Sequence, residues 1–169
     1  MDEILRSFLD YNFPAAEALA AESNLLEVVL LRPQHMIANF ACKGLVRTAD
    51  GEIREHAEFS VGFHFPDHYL SQANPFEVLT WLGPHEAWHP NIWPPAICIG
   101  HIDPGTPIPD LLYRTYEVIT YVNSNPIEQE ALNHHACAWA RDNQHRFPID
   151  SRALKRPLRE RRLLPTAPL

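Results

Sequence analysis

Four residue types in one short segment could carry chemistry: His89, Pro90 and Asn91, followed seven residues after the asparagine by Cys98, in HPNIWPPAICIG. A thiolate attacks a thioester readily, and the thioester it forms still reacts with an amine, so a cysteine in such a loop suits an acyl carrier. The NH₂ of Asn91 can donate to the oxygen that turns negative when an amine attacks, or it can organise the loop through turn hydrogen bonds. His101 and Asp103 follow the cysteine closely and could tune its pKa or assist the amine; as exposed loop residues they could equally be bystanders. Cys42 alternates with apolar residues on a predicted strand and Cys137 sits beside Ala136 on a predicted helix, so both read as structural.

The elements that must hold this segment are legible in outline. Ile4, Leu5, Phe8 and Leu9 have the spacing of one helical face, and Pro14 suits the start of a further helical stretch running to Ala21. LEVVLL, MIANFACKGLV and HAEFSVGFHF predict three meander strands over residues 26–65, with a turn at ADGE, and PFEVLTW (75–81) predicts a fourth. Residues 83–107 hold six prolines and read as irregular chain. Long ordered loops of this kind are usually functional. An amphipathic helix is predicted over 107–122, with Leu112, Tyr116, Ile119 and Val122 on one face. Another follows in EQEALNHHACAWARD, aligning Leu132, Ala136 and Trp139. Strands first and helices later predict the α+β class.

At 169 residues the chain predicts one domain, 1–150, with a basic tail at 151–169. Three cysteines, an odd number, argue against a disulfide framework and fit a reducing cytosol. Net charge is −7, yet six of the fourteen Lys and Arg side chains lie in 152–162 (Arg152, Lys155, Arg156, Arg159, Arg161, Arg162), beside Glu160 alone. The acidic remainder makes nucleic acid an unsuitable partner. The basic stretch reads either as a solvated end or as a segment that docks on an acidic surface. No apolar run approaches the length of a membrane span, and the acidic start MDEILRSF predicts no signal peptide. The expected location is cytoplasmic.

This order, with these motifs, resembles the ubiquitin-conjugating enzyme (E2) family over about residues 10–140. His89-Pro90-Asn91 looks like the family's HPN tripeptide and Ile97-Cys98-Ile99 like its active-site segment. Phe65-Pro66, Tyr69 and Pro75 look like its FP-x-x-Y-P stretch, and Asn125-Pro126 with Leu132-Asn133 like the loop and helix start beyond its central helix. The resemblance implies the ubiquitin-conjugating fold and two acyl transfers. Cys98 would take a ubiquitin-like modifier from an E1-like activating enzyme, then pass it to a lysine of a target, with no metal or organic cofactor. It implies an N-terminal helix facing the activating enzyme, and a structural His89 with its ring nitrogens hydrogen-bonded to backbone. It also implies an acidic residue that orients the lysine, Glu128 if matched from Asn125-Pro126 and Glu130 if matched from Leu132-Asn133. Three departures mark a divergent member, similar to bacterial E2-like proteins of conjugation systems, some of them antiviral. The asparagine-to-cysteine spacing is one residue short, Gly100 replaces a frequent aspartate, and the usual tryptophan after the cysteine is absent. Three other readings stand beside it: a non-catalytic E2-like (RWD-type) protein-binding domain, a cysteine hydrolase pairing Cys98 with a histidine, and a zinc site of His85, His89, Cys98 and His101.

Overall fold

A computed structural model describes residues 1–124 and 128–155. The first element, α1 (Glu3–Ala21), is capped by Asp2, whose carboxylate accepts the Leu5 N–H at 2.7 Å. Its inner stripe is Leu5, Leu9, Phe13, Ala16 and Leu19, all buried. Ile4, expected on that stripe, is 71% exposed, because the stripe centres one residue further round the helix. Nor does Pro14 start anything: α1 runs through it without a break. Pro14 is exposed, so the carbonyl it leaves without a helical donor lies on the wet side, where water can bond it.

Strands β1 (Leu26–Arg32), β2 (His35–Phe40), β3 (Gly44–Arg47), β4 (Ile53–His56), β5 (Phe59–His64) and β6 (Leu79–Gly83) follow, with α2 (Pro75–Val78) just before β6. The main sheet is antiparallel with order β1-β2-β5-β6. Met36, Ala38 and Phe40 alternate inward, as do Phe59, Val61 and Phe63, then Leu79 and Trp81. This period-2 pattern is what pins the register. α1 packs on β1 and on the later helix α3 (Ile108–Ile119).

Two strand expectations change. MIANFACKGLV is not one strand. It leaves the sheet after Phe40, where Cys42 is fully buried and the Lys43 N–H turns to the Asp150 carboxylate at 3.1 Å. β3 then pairs with β4 in a separate hairpin, closed at ADGE by Gly51 at φ +85°. PFEVLTW is likewise not all strand. Asn74 caps Phe76 N–H at 3.1 Å and Pro75 occupies the first helical turn, so pairing begins only at Leu79.

α3 buries Leu112, Tyr116 and Ile119 as expected but stops at Ile119. Val122, expected on the same face, is 53% exposed beyond Tyr121, whose φ is +61°. The last predicted helix starts late. Glu128–Glu130 form a 3-10 turn, and α4 (His134–Asp142) opens at Asn133, which caps Ala136 N–H at 2.9 Å. Leu132 therefore precedes the helix, while Ala136 is buried. Asn12 ties the middle of α1 to the start of α3: its Oδ1 accepts the Ile108 N–H at 3.1 Å.

The chain beyond Asp150 stays on the body as far as it is described. Arg152 donates to the Asp150 carboxylate and to the Ala41 carbonyl, Leu154 is 2% exposed, and Lys155 reaches Glu22 at 2.8 Å. Arg156, Arg159, Arg161 and Arg162, like Asn125-Pro126, lie outside the described residues. Among the described residues no helix is long and apolar enough to cross a membrane.

Candidate active site

Cys98 sits at the foot of a two-stranded hairpin, β7 (Ile92–Trp93) against β8 (Ala96–Ile97), with Pro94-Pro95 at its tip. Ile92 and Ile97 face each other and are buried, anchoring the hairpin in the core. Side chains alternate across a strand, so Asn91 and Cys98, the next pair along, face away from that anchor and are half-buried. Trp81 N–H donates to the Pro95 carbonyl at 2.8 Å and ties the tip to β6.

Asn91 and Cys98 hold each other twice. The Cys98 N–H donates to the Asn91 carbonyl at 2.9 Å, and the Asn91 Nδ2 donates to the Cys98 carbonyl at 3.3 Å. A primary amide carries two N–H donors, so this clamp uses one and leaves the other for a second acceptor. His89 completes the turn: its Nδ1 accepts the Asn91 N–H at 2.9 Å. That bond requires a lone pair on Nδ1, so the neutral ring carries its proton on Nε2. The ring is 2% exposed, and burial pulls its pKa down to about 3. His89 is therefore a neutral organiser of the loop, but through Nδ1 alone and not through both ring nitrogens as expected: its Nε2 is buried with no hydrogen-bond partner among the described residues.

Downstream of the thiol, Gly100 adopts φ +83°, a backbone shape that favours glycine. Arg114 of α3 closes this bend from below, donating to the Ile99 carbonyl at 2.8 Å and to the His101 carbonyl. His101 Nε2 meets Asp103 Oδ1 at 3.1 Å, with the side chains 81% and 85% exposed. A pair so open to water contributes little. From the other side, Asn133 N–H donates to the Pro90 carbonyl at 2.9 Å and joins the start of α4 to the loop. Glu130 is exposed on the 3-10 turn before it; the Glu128 side chain lies outside the described residues.

The structure thus brings Asn91 and Cys98 together, places His89 behind them, and sets His101 with Asp103 as a separate surface pair. The four candidate zinc ligands are not gathered. Among the described residues no group of three or more His, Cys, Asp or Glu is placed to hold a metal ion. His89 has turned its Nδ1 to Asn91 inside the protein, and His101 is bonded to Asp103. Among the described residues neither His89 nor His101 is hydrogen-bonded to the Cys98 thiol, so the nucleophile–base contact of a cysteine hydrolase is not formed. Cys42 and Cys137 are fully buried, and burial with the nearby Asp150 charge pushes the Cys42 thiol up to about 12. Arg114 and Tyr121 are not singled out by the sequence, and Asn133 enters there only with Leu132 as a helix start. Arg114 lies on a polar helix face, a pattern with many bland instances, and nothing local marks a tyrosine for a left-handed backbone.

In comparison with known proteins, no family model matches the chain and no curated protein matches it.

Proposed function

We propose that this protein is a ubiquitin-conjugating (E2-like) acyltransferase of the ubiquitin-conjugating fold, with Cys98 as the acyl carrier. The observation that carries the reading is the reciprocal Asn91–Cys98 clamp, at the base of a core-anchored hairpin, beside a half-buried thiol. The order helix, four-stranded antiparallel sheet, cysteine hairpin and helices supports it, as does the HPN segment that builds the clamp.

The chemistry runs in two transfers. In the first, the Cys98 thiolate adds to the thioester carbonyl that joins a ubiquitin-like modifier to its E1-like activating enzyme; a C–S bond forms and the activating enzyme's thiolate leaves. In the second, a target lysine amine adds to the new thioester. The C–N bond forms, the bond to Cys98 breaks, and the amine's proton passes to water or to an acidic side chain, the role proposed for Glu130 or Glu128. Both steps pass through a tetrahedral oxyanion, to which the second Asn91 N–H can donate. His101 and Asp103, exposed just past the thiol, border the path of an incoming amine. The partners are the activating enzyme, the modifier and a target protein, within a bacterial conjugation system of the antiviral kind and in the cytoplasm.

The test is charging by the cognate activating enzyme with ATP and modifier, read on a non-reducing gel. A thiol-sensitive adduct is expected, reduced in Cys98→Ser to at most a slow, thiol-resistant oxyester. A thiol-sensitive adduct on Cys98→Ala would move the carrier to another cysteine and defeat the reading.

A further inference from the structure

Tyr121 is the one non-glycine residue with positive φ among those described. For a bulky side chain that backbone is a genuine outlier, held only where the surroundings over-determine it. Three contacts do so. The hydroxyl donates to the Trp88 carbonyl, one residue before the HPN segment. The ring meets the His89 imidazole edge to face, centroids 4.3 Å apart, and Phe147 packs on it at 4.6 Å. Tyr121 is 3% exposed, so its place in the fold has no solvent-facing alternative.

Two of these contacts lead towards the thiol. The phenol ring fixes the plane of His89; that plane aims the Nδ1 lone pair at the Asn91 N–H; Asn91 in turn holds the Cys98 carbonyl. The hydroxyl fixes the backbone at Trp88, immediately before His89. We propose that Tyr121 is a positioning residue for the Cys98 reaction: the forced turn after α3 sets the His89 ring and, through it, the Asn91–Cys98 clamp. Phe147 extends the same stack to the segment beyond α4. The word reaction rests on the function proposed above; the placement of the loop does not.

The experiment uses the full chain, with two readouts that need no conjugation partner. Nitrogen-15 NMR of the imidazole reports the tautomer of His89, and mass spectrometry follows alkylation of Cys98 by iodoacetamide. In the wild type, Nδ1 of His89 should show the shift of an unprotonated acceptor. Tyr121→Leu, which removes both ring and hydroxyl, should give mixed tautomers and raise the alkylation rate on the order of 10-fold as the clamp opens. Tyr121→Phe, which keeps the ring, should hold the tautomer and raise alkylation two- to threefold. A merely structural tyrosine would lower the melting temperature while leaving tautomer and alkylation unchanged in the folded protein, and that result overturns the proposal. Should Tyr121→Leu fail to fold, an unchanged alkylation rate in Tyr121→Phe overturns it as well. If the readouts move as expected but no thioester forms in the charging assay, the positioning stands and the conjugating function falls.

Discussion

Three thiols in two kinds of surroundings make the residue scale testable. Cys42 and Cys137 are fully buried and Cys98 is half-exposed. A disulfide exchange reagent should titrate one thiol quickly in the native protein and three after denaturation, and Cys98→Ala should abolish the fast phase; a fast phase that survives would identify another accessible sulfur. Asn91 can be dissected by step. Charging exchanges one thiol for another and its leaving thiolate needs little help, whereas discharge to lysine has the weaker, proton-burdened nucleophile. An oxyanion donor should therefore act chiefly on discharge, by roughly 3 kcal/mol. Asn91→Ala is expected to charge near normally and to discharge to free lysine about 100-fold more slowly, with Glu128→Ala and Glu130→Ala showing a milder version. Equal loss in both steps with a lowered melting temperature would make the bond to the Cys98 carbonyl the whole of its role.

At the scale of elements, the segment after Asp150 behaves as part of the fold. Leu154 is in the core and Asp150 is locked between Lys43 N–H and Arg152. Truncation after Asp150 should cost about 2–5 kcal/mol, the usual range for deleting a buried leucine, seen as a lowered urea midpoint. Truncation after Lys155 should leave both the midpoint and lysine discharge intact; collapse of discharge with the fold retained would place the missing segment in the active site. Asp150 also has a pH signature. The Arg152 hydrogen bond, helped by the Lys43 N–H, holds its pKa at about 2, below the ~4 of an unfolded aspartate. The folded state therefore binds this proton less readily, so the contribution is fully present above ~pH 4 and is lost as pH falls towards 2. The urea midpoint of the wild type should exceed that of Asp150→Asn at pH 6, and the gap should narrow by pH 2.5; a constant gap would show that the charge is not what holds the clasp.

For the molecule as a whole, no three metal-binding side chains converge among the described residues. Purified protein should carry far less than one equivalent of zinc, and a chelator should leave its melting temperature unchanged. Stoichiometric zinc lost in Cys98→Ala or His101→Ala would restore the metal reading.

Local patterns that fold into themselves could be read directly from the sequence. The alternation in MIANF and FSVGF, the shared helical face of Leu5 and Leu9, and the ADGE turn each need only neighbouring residues, and each formed. The α+β order and the prominence of His89, Asn91 and Cys98 came from the same source. What failed was where one element yields to another. Cys42 leaves its strand because Asp150, more than a hundred residues later, takes the backbone of Lys43; Val122 turns outward because Tyr121 is held left-handed by Trp88 and His89. That His89 is structural was expected, but which ring nitrogen serves the loop was beyond sequence, since only packing buries the ring, holds it neutral and turns its Nδ1 to Asn91. Residue types state which bonds a side chain is able to make; the tertiary structure decides which it makes, because burial removes water as the alternative partner and leaves only the groups that the rest of the chain has brought within reach.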